Sequence, residues 1–108
     1  MVSIKYNADI KEQIIRDDLK KIVNQVYKLL PMREEKSDWQ KPLETLMVQL
    51  GGMNRLFEDQ QEVFFPLLCK MEGLFTLTEE KDFQIYRRTI FECLGLLNII
   101  NNNVLRNK

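Results

Sequence analysis

The last long segment of the chain, residues 78–104, reads TEEKDFQIYRRTIFECLGLLNIINNNV, and this stretch decides the fold class. Its apolar residues alternate at intervals of three and four: Phe83, Tyr86, Ile90, Cys93, Leu97, Ile100 and Val104. Because this spacing places side chains on one side of an α-helix, it predicts a long amphipathic helix over about 79–104. Thr78 precedes two glutamates, which favours it as the N-cap.

Residues 9–30 repeat the same spacing near the start of the chain. The stripe consists of Ile15, Leu19, Ile22, Val26 and Leu29. Asp9 with Glu12 three residues later matches a capping box, so the helix is expected to begin there. Pro31 is expected to end it, because the residue before a proline is disfavoured in the helical region.

A third helix is predicted over 38–57, with Ser37 and Gln40 as its capping box. Its apolar positions are Trp39, Leu43, Leu46, Leu50, Met53 and Phe57. The phase continues across Gly51-Gly52, which favours one helix whose glycines allow a close helix crossing. The alternative is two short helices with the glycines as a C-cap and turn.

Residues 60–75 are apolar around nearly the whole circumference of a helix, which indicates a helix buried on most sides. Pro66 lies within this segment, so the helix either starts near Val63 or carries a kink. Together the four segments, roughly 9–30, 38–57, 60–75 and 79–104, predict an all-α, single-domain antiparallel bundle over residues 1–108. Up-down-up-down is the simplest topology. The alternative pairs segments one and four as long helices, with segments two and three packed across them as shorter ones.

The residue inventory argues against an enzyme. The chain contains no histidine, the commonest metal ligand and general base. Cys69 and Cys93 both lie in apolar segments, where buried, reduced thiols are expected, and no cofactor or metal is predicted. The N-terminal residues lack the apolar core of a secretory leader, and no apolar run approaches the length of a membrane span, so a cytoplasmic protein is expected.

Charge and composition bear on the partner. Sixteen basic and sixteen acidic residues give a formal net charge of zero, which argues against nucleic acid as the partner. The alternative is a nucleic-acid-associated regulator that uses Lys20, Lys21, Arg87 and Arg88. A further alternative is an inhibitor or immunity-type protein of a phage, plasmid or other mobile element, since the single alanine is typical of AT-rich bacterial or phage genes.

Two structural expectations follow. Asp18 and Arg87 lie on the apolar stripes of their helices, so they, or their neighbours Asp17 and Arg88, are expected to form an ion pair at the edge of the core. Surplus apolar side chains predict an exposed interaction surface. Its candidate residues are Trp39, Met53, Phe64, Phe65, Leu68 and Met71. The leading interpretation is a non-enzymatic protein–protein interaction module that binds a partner protein or a second copy of itself.

Overall fold

The structure is a computed structural model that describes the backbone of residues 2–55 and 60–106 and the side chains of residues 13–55 and 60–103. Within those ranges it contains four α-helices and no strand. The helices are α1 (Val2–Glu34), α2 (Gln40–Asn54), α3 (Gln61–Leu74) and α4 (Phe83–Arg106). A 3-10 turn, Glu80–Asp82, leads into α4. The predicted all-α class is confirmed.

The helices form an antiparallel bundle in which each one packs against two neighbours. α4 lies between α1 and α3, and α2 closes the other side against the same two helices. The Tyr86 hydroxyl, near the start of α4, donates to the carbonyl of Leu29 near the end of α1 at 3.3 Å. Asn103, near the end of α4, donates to the side chain of Gln60 just before α3 at 3.1 Å. These contacts show that α4 runs antiparallel to α1 and α3, as the up-down-up-down arrangement predicts.

The core is built from the predicted stripes. Along α4 every stripe residue between the first and last positions is fully buried: Tyr86, Ile90, Cys93, Leu97 and Ile100. The facing residues of α1 are Leu19, Ile22, Val26 and Leu29, and those of α2 include Leu43, Leu46 and Leu50. Burying such a side chain contributes roughly 1.5–3 kcal/mol. Phe57 and the side chain of Val104 lie outside the described residues.

α1 is longer than predicted at both ends. Asp9 lies inside the helix, and Pro31 does not end it. The helix ends in a Schellman motif, in which the Ser37 amide donates to Met32 at 2.8 Å and the Lys36 amide to Arg33 at 3.1 Å. Lys36 adopts the left-handed conformation that this motif requires, with φ of 61°. The prediction that the helix stops before Pro31 was wrong because a proline removes only one helical hydrogen bond, which later contacts can offset.

The starts of α2 and α4 are capped one residue later than predicted. Asp38, not Ser37, accepts the amides of Gln40 and Lys41 at 3.2 and 3.3 Å. Before α4, Glu79 rather than Thr78 forms a reciprocal capping box with Asp82. Both caps use a carboxylate, which the positive end of a helix favours.

Gly51 and Gly52 lie inside a continuous α2, which confirms the prediction of one helix. The alternative, two short helices separated by a turn at the glycines, is wrong. The prediction that these glycines allow a close approach of a second helix is also wrong. A Cβ atom built on either glycine would meet no atom of the described residues within 4 Å.

Pro66 lies inside α3, which begins at Gln61 rather than near Val63. Among the described residues, no helix is long and apolar enough to cross a bilayer.

Candidate functional site

The predicted interaction surface is mostly core. Trp39, Met53, Phe64 and Met71 are buried, and Leu68 is half-buried. Only Phe65 is largely exposed, at 69%. The predicted surface on α3 is wrong because α3 packs between α2 and α4, which cover most of its circumference. Trp39 and Met53, at the two ends of α2, belong to the same buried core.

Two of the exposed apolar residues, Ile14 and Val48, line a groove between α1 and α2. α1 contributes Ile14, Ile15, Asp18, Lys21, Ile22 and Gln25 to its lining. α2 contributes Val48, Gln49, Gly52 and Met53. These ten residues define the α1–α2 groove, which encloses about 480 Å³.

The groove combines apolar walls with a polar rim. Ile14 is 53% exposed on the α1 side, and Val48 is 77% exposed on the α2 side. One turn after Val48, a Cβ atom on Gly52 would meet no described atom within 4 Å, so the α2 wall is open at this point. A concave apolar surface with a few polar groups at its edge is typical of a binding site.

Helical spacing explains how the sequence builds the groove. Ile14, Asp18, Lys21 and Gln25 follow one another at intervals of four, three and four, so they form a second stripe beside the core stripe of α1. Val48 and Gly52 lie one turn apart on α2. Sequence reasoning missed this site, because three of the four residues in this stripe are polar, as on an ordinary solvated helix face.

The structure does not bring Asp18 and Arg87 together. Within residues 13–55 and 60–103, no ion pair joins Asp18 or Asp17 to Arg87 or Arg88. Asp18 lines the α1–α2 groove. The Arg87 guanidinium lies 5.6 Å from the ring centre of Phe91 on α4. Both charged residues are exposed, so burial does not force them to pair.

The four basic residues of the nucleic-acid alternative do not gather on one surface. Lys21 lines the α1–α2 groove, whereas Lys20 lines a smaller cavity of about 320 Å³ between α1 and α4. Adjacent residues on a helix point about 100° apart, which explains the separation. Arg87 and Arg88 diverge in the same way on α4.

The two cysteines differ in their exposure to solvent. Cys93 is fully buried, as predicted, but Cys69 is exposed, and neither is in a disulfide. Burial raises the pKa of the Cys93 thiol to about 12, with nearby Lys70 opposing the shift and Glu92 adding to it. The prediction for Cys69 was wrong because α3 turns that position away from both of its neighbours.

A third cavity, of about 600 Å³, lies at the end of the bundle where the α1–α2 and α3–α4 links meet. Arg33 is the residue best suited to bind an anion there, but its guanidinium already donates to the carbonyls of Leu77 and Glu79. Arg33 therefore has a structural role at this cavity, because it joins the end of α1 to the link between α3 and α4. In the part of the chain with described side chains, no three potential metal ligands come together.

No family model matches this sequence, and no curated protein or solved structure matches it either.

Proposed function

We propose that this protein is a non-enzymatic protein–protein interaction module that binds its partner through the α1–α2 groove. The observation that carries the proposal is the exposure of Val48 and Ile14 on opposite walls of one apolar concavity. Exposed aliphatic side chains cost free energy in water, and a partner that covers them recovers it. The polar rim formed by Asp18 and Lys21 adds orientation to that contact.

The chemistry of the side chains supports binding over catalysis. The chain has no histidine. A nucleophilic cysteine needs a lowered pKa and access to its substrate, whereas Cys93 is buried with a raised pKa. Cys69 is accessible, but no histidine exists to activate it.

We place the site of action in the cytoplasm. The support is the pair of unbridged thiols, because exposed free cysteines such as Cys69 are most compatible with a reducing compartment. An origin in a bacterium or phage remains part of the same proposal, and it is supported by composition alone.

Site-specific photo-crosslinking tests the proposal. A photoreactive amino acid replaces Val48 in the groove, and the matched control carries it at Glu44, which is also exposed on α2 but does not line the groove. Both variants are expressed in the native host and irradiated. A discrete protein adduct from position 48 that is absent or much weaker from position 44 is the expected result. Equal adducts, or none from position 48, would overturn the proposed function.

A further inference from the structure

We propose that the partner of the α1–α2 groove is a second copy of this chain, seated face to face so that α1 meets α1 and α2 meets α2 in antiparallel orientation. The inference rests on the proposed function and specifies its partner. A two-fold interface requires a surface that is complementary to itself. Both the charges and the shape of this groove satisfy that requirement.

The charges on α1 are self-complementary. Asp18 and Lys21 have opposite signs and lie one helical turn apart on the groove side of α1. A two-fold axis that crosses α1 midway between them places Asp18 of each copy opposite Lys21 of the other. The same axis places Ile14 of one copy opposite Gln25 of the other, because these two positions share that midpoint. One geometry therefore forms two ion pairs.

The shape of α2 fits the same axis. Val48 projects into solvent, and Gly52 leaves an open space one turn away. An axis that crosses α2 midway between them seats Val48 of each copy against Gly52 of the other, as a knob in a hole. The residues on either side of both midpoints line the same groove, and the inference assigns a single axis to both helices.

The overall charge permits this association. The formal net charge is zero, so two copies approach without long-range repulsion. In this arrangement Val48 of each copy lies against Gly52 of the other, and Ile14 of each copy lies opposite Gln25 of the other. The dimer covers both exposed wall residues at once.

Sedimentation velocity on the purified full chain, over a micromolar to millimolar concentration series, tests the inference. The wild type should show a reversible monomer–dimer equilibrium. Asp18→Lys and Lys21→Asp should each weaken the dimer by about tenfold or more, because each puts like charges opposite one another at two symmetric positions. Asp17→Lys, an identical charge change outside the groove, should leave the equilibrium within about twofold of the wild type.

Combining the two charge-reversal variants provides the decisive test. An equimolar mixture of Asp18→Lys and Lys21→Asp should associate about as strongly as the wild type, because every facing pair is again of opposite sign. The double variant Asp18→Lys/Lys21→Asp should recover the homodimer for the same reason. Val48→Glu should abolish dimerisation, with far-UV circular dichroism confirming that each variant is folded.

Two outcomes would overturn the inference. One is a wild-type chain that stays monomeric throughout the series, and the other is a mixture that associates no better than its components. The crosslinking experiment separates these outcomes from failure of the proposed function. An adduct from position 48 that contains a different protein would retain the function while excluding a second copy as the partner. An adduct of two copies of the chain would support both the proposed function and the inference that the partner is a second copy.

Discussion

Arg33 and Leu77 lie 44 residues apart and are joined by two hydrogen bonds. The Arg33 Nε and Nη2 atoms donate to the Leu77 carbonyl at 3.2 and 2.8 Å, and Nη2 also donates to the Glu79 carbonyl at 2.6 Å. The same guanidinium lies 4.8 Å from the ring centre of Tyr86. One side chain thus fastens the end of α1 to the link between α3 and α4.

Removing this clamp should destabilise the fold. We expect Arg33→Ala to lower the free energy of unfolding by about 2–3 kcal/mol, because it leaves two carbonyls without their charged donor. Arg33→Lys should recover only part of the loss, since an ammonium lacks the planar fork that reaches both carbonyls. Urea denaturation measures the change. A loss below about 0.5 kcal/mol for Arg33→Ala would contradict the clamp.

Lys36→Gly should stabilise the protein by about 1 kcal/mol. Lys36 has a φ of 61°, a conformation that costs a residue with a Cβ atom but not glycine. Its ion pair with Glu80, at 3.9 Å between highly exposed side chains, contributes little. Lys36→Ala is the control, because it removes the charge and keeps the strain. The two variants should therefore differ in urea denaturation, with glycine the more stable.

Gly51→Ala should also stabilise the protein, by about 0.5–1 kcal/mol. Gly51 lies inside α2, where glycine has a high conformational entropy cost, and the added methyl group would meet no described atom within 4 Å. Gly51→Ser should gain less, in keeping with its weaker helix propensity. A thermal melt of the three proteins would reveal the order, and a lower melting temperature for Gly51→Ala would contradict the open space.

Stability should fall above about pH 9. Burial raises the pKa of Cys93 from 9.0 to about 12 and moves the pKa of Tyr86 upward as well, with Arg33 opposing the second shift. Between the two values for Cys93 the unfolded chain releases a proton that the folded chain retains, so the free energy of unfolding drops by up to about 1.4 kcal/mol per pH unit. Below pH 9 both states are protonated and this effect vanishes.

Cys93→Ala isolates the thiol contribution to that pH dependence. The variant should be less stable at neutral pH because it loses buried atoms. Its stability should nevertheless decline less steeply between pH 9 and 10, before tyrosine titrates in the unfolded chain. Urea denaturation at each pH gives the two slopes. Parallel slopes for the variant and the wild type would show that Cys93 does not titrate differently on folding.

Thiol labelling should distinguish the two cysteines. A disulfide reagent such as dithionitrobenzoate should modify one thiol per native chain and two in guanidinium chloride, since Cys69 is exposed and Cys93 is buried. Cys69→Ser should remove the fast phase, whereas Cys93→Ala should leave it unchanged. A native chain that reacts rapidly at both thiols would contradict the burial of Cys93.

Periodicity predicted the parts of the fold that depend on one helix at a time. The stripe through Ile90 and Leu97 is buried because a three-and-four repeat has only one way to lie against neighbours. Helix ends were harder to predict. α1 passes through Pro31 because Arg33, two residues later, is held by a carbonyl that the chain supplies only after two further helices.

The site was harder to predict than the fold because a stripe does not reveal which neighbour covers it. Phe64 and Phe65 are adjacent and equally apolar, yet one is fully buried and the other is 69% exposed. Conversely, Val48 gave no signal as a single residue. It becomes informative only once Ile14 is known to lie across the same groove.

The position of Trp39 has a practical consequence. It is the only tryptophan in the sequence, it is buried, and its ring packs edge-on against Tyr86 with 5.0 Å between ring centres. Its intrinsic fluorescence therefore reports directly on whether α4 is docked against the start of α2. Because Trp39 does not line the α1–α2 groove, the emission spectrum should follow unfolding and remain silent when the groove is occupied. The chain thus carries its own label-free probe for separating folding from association.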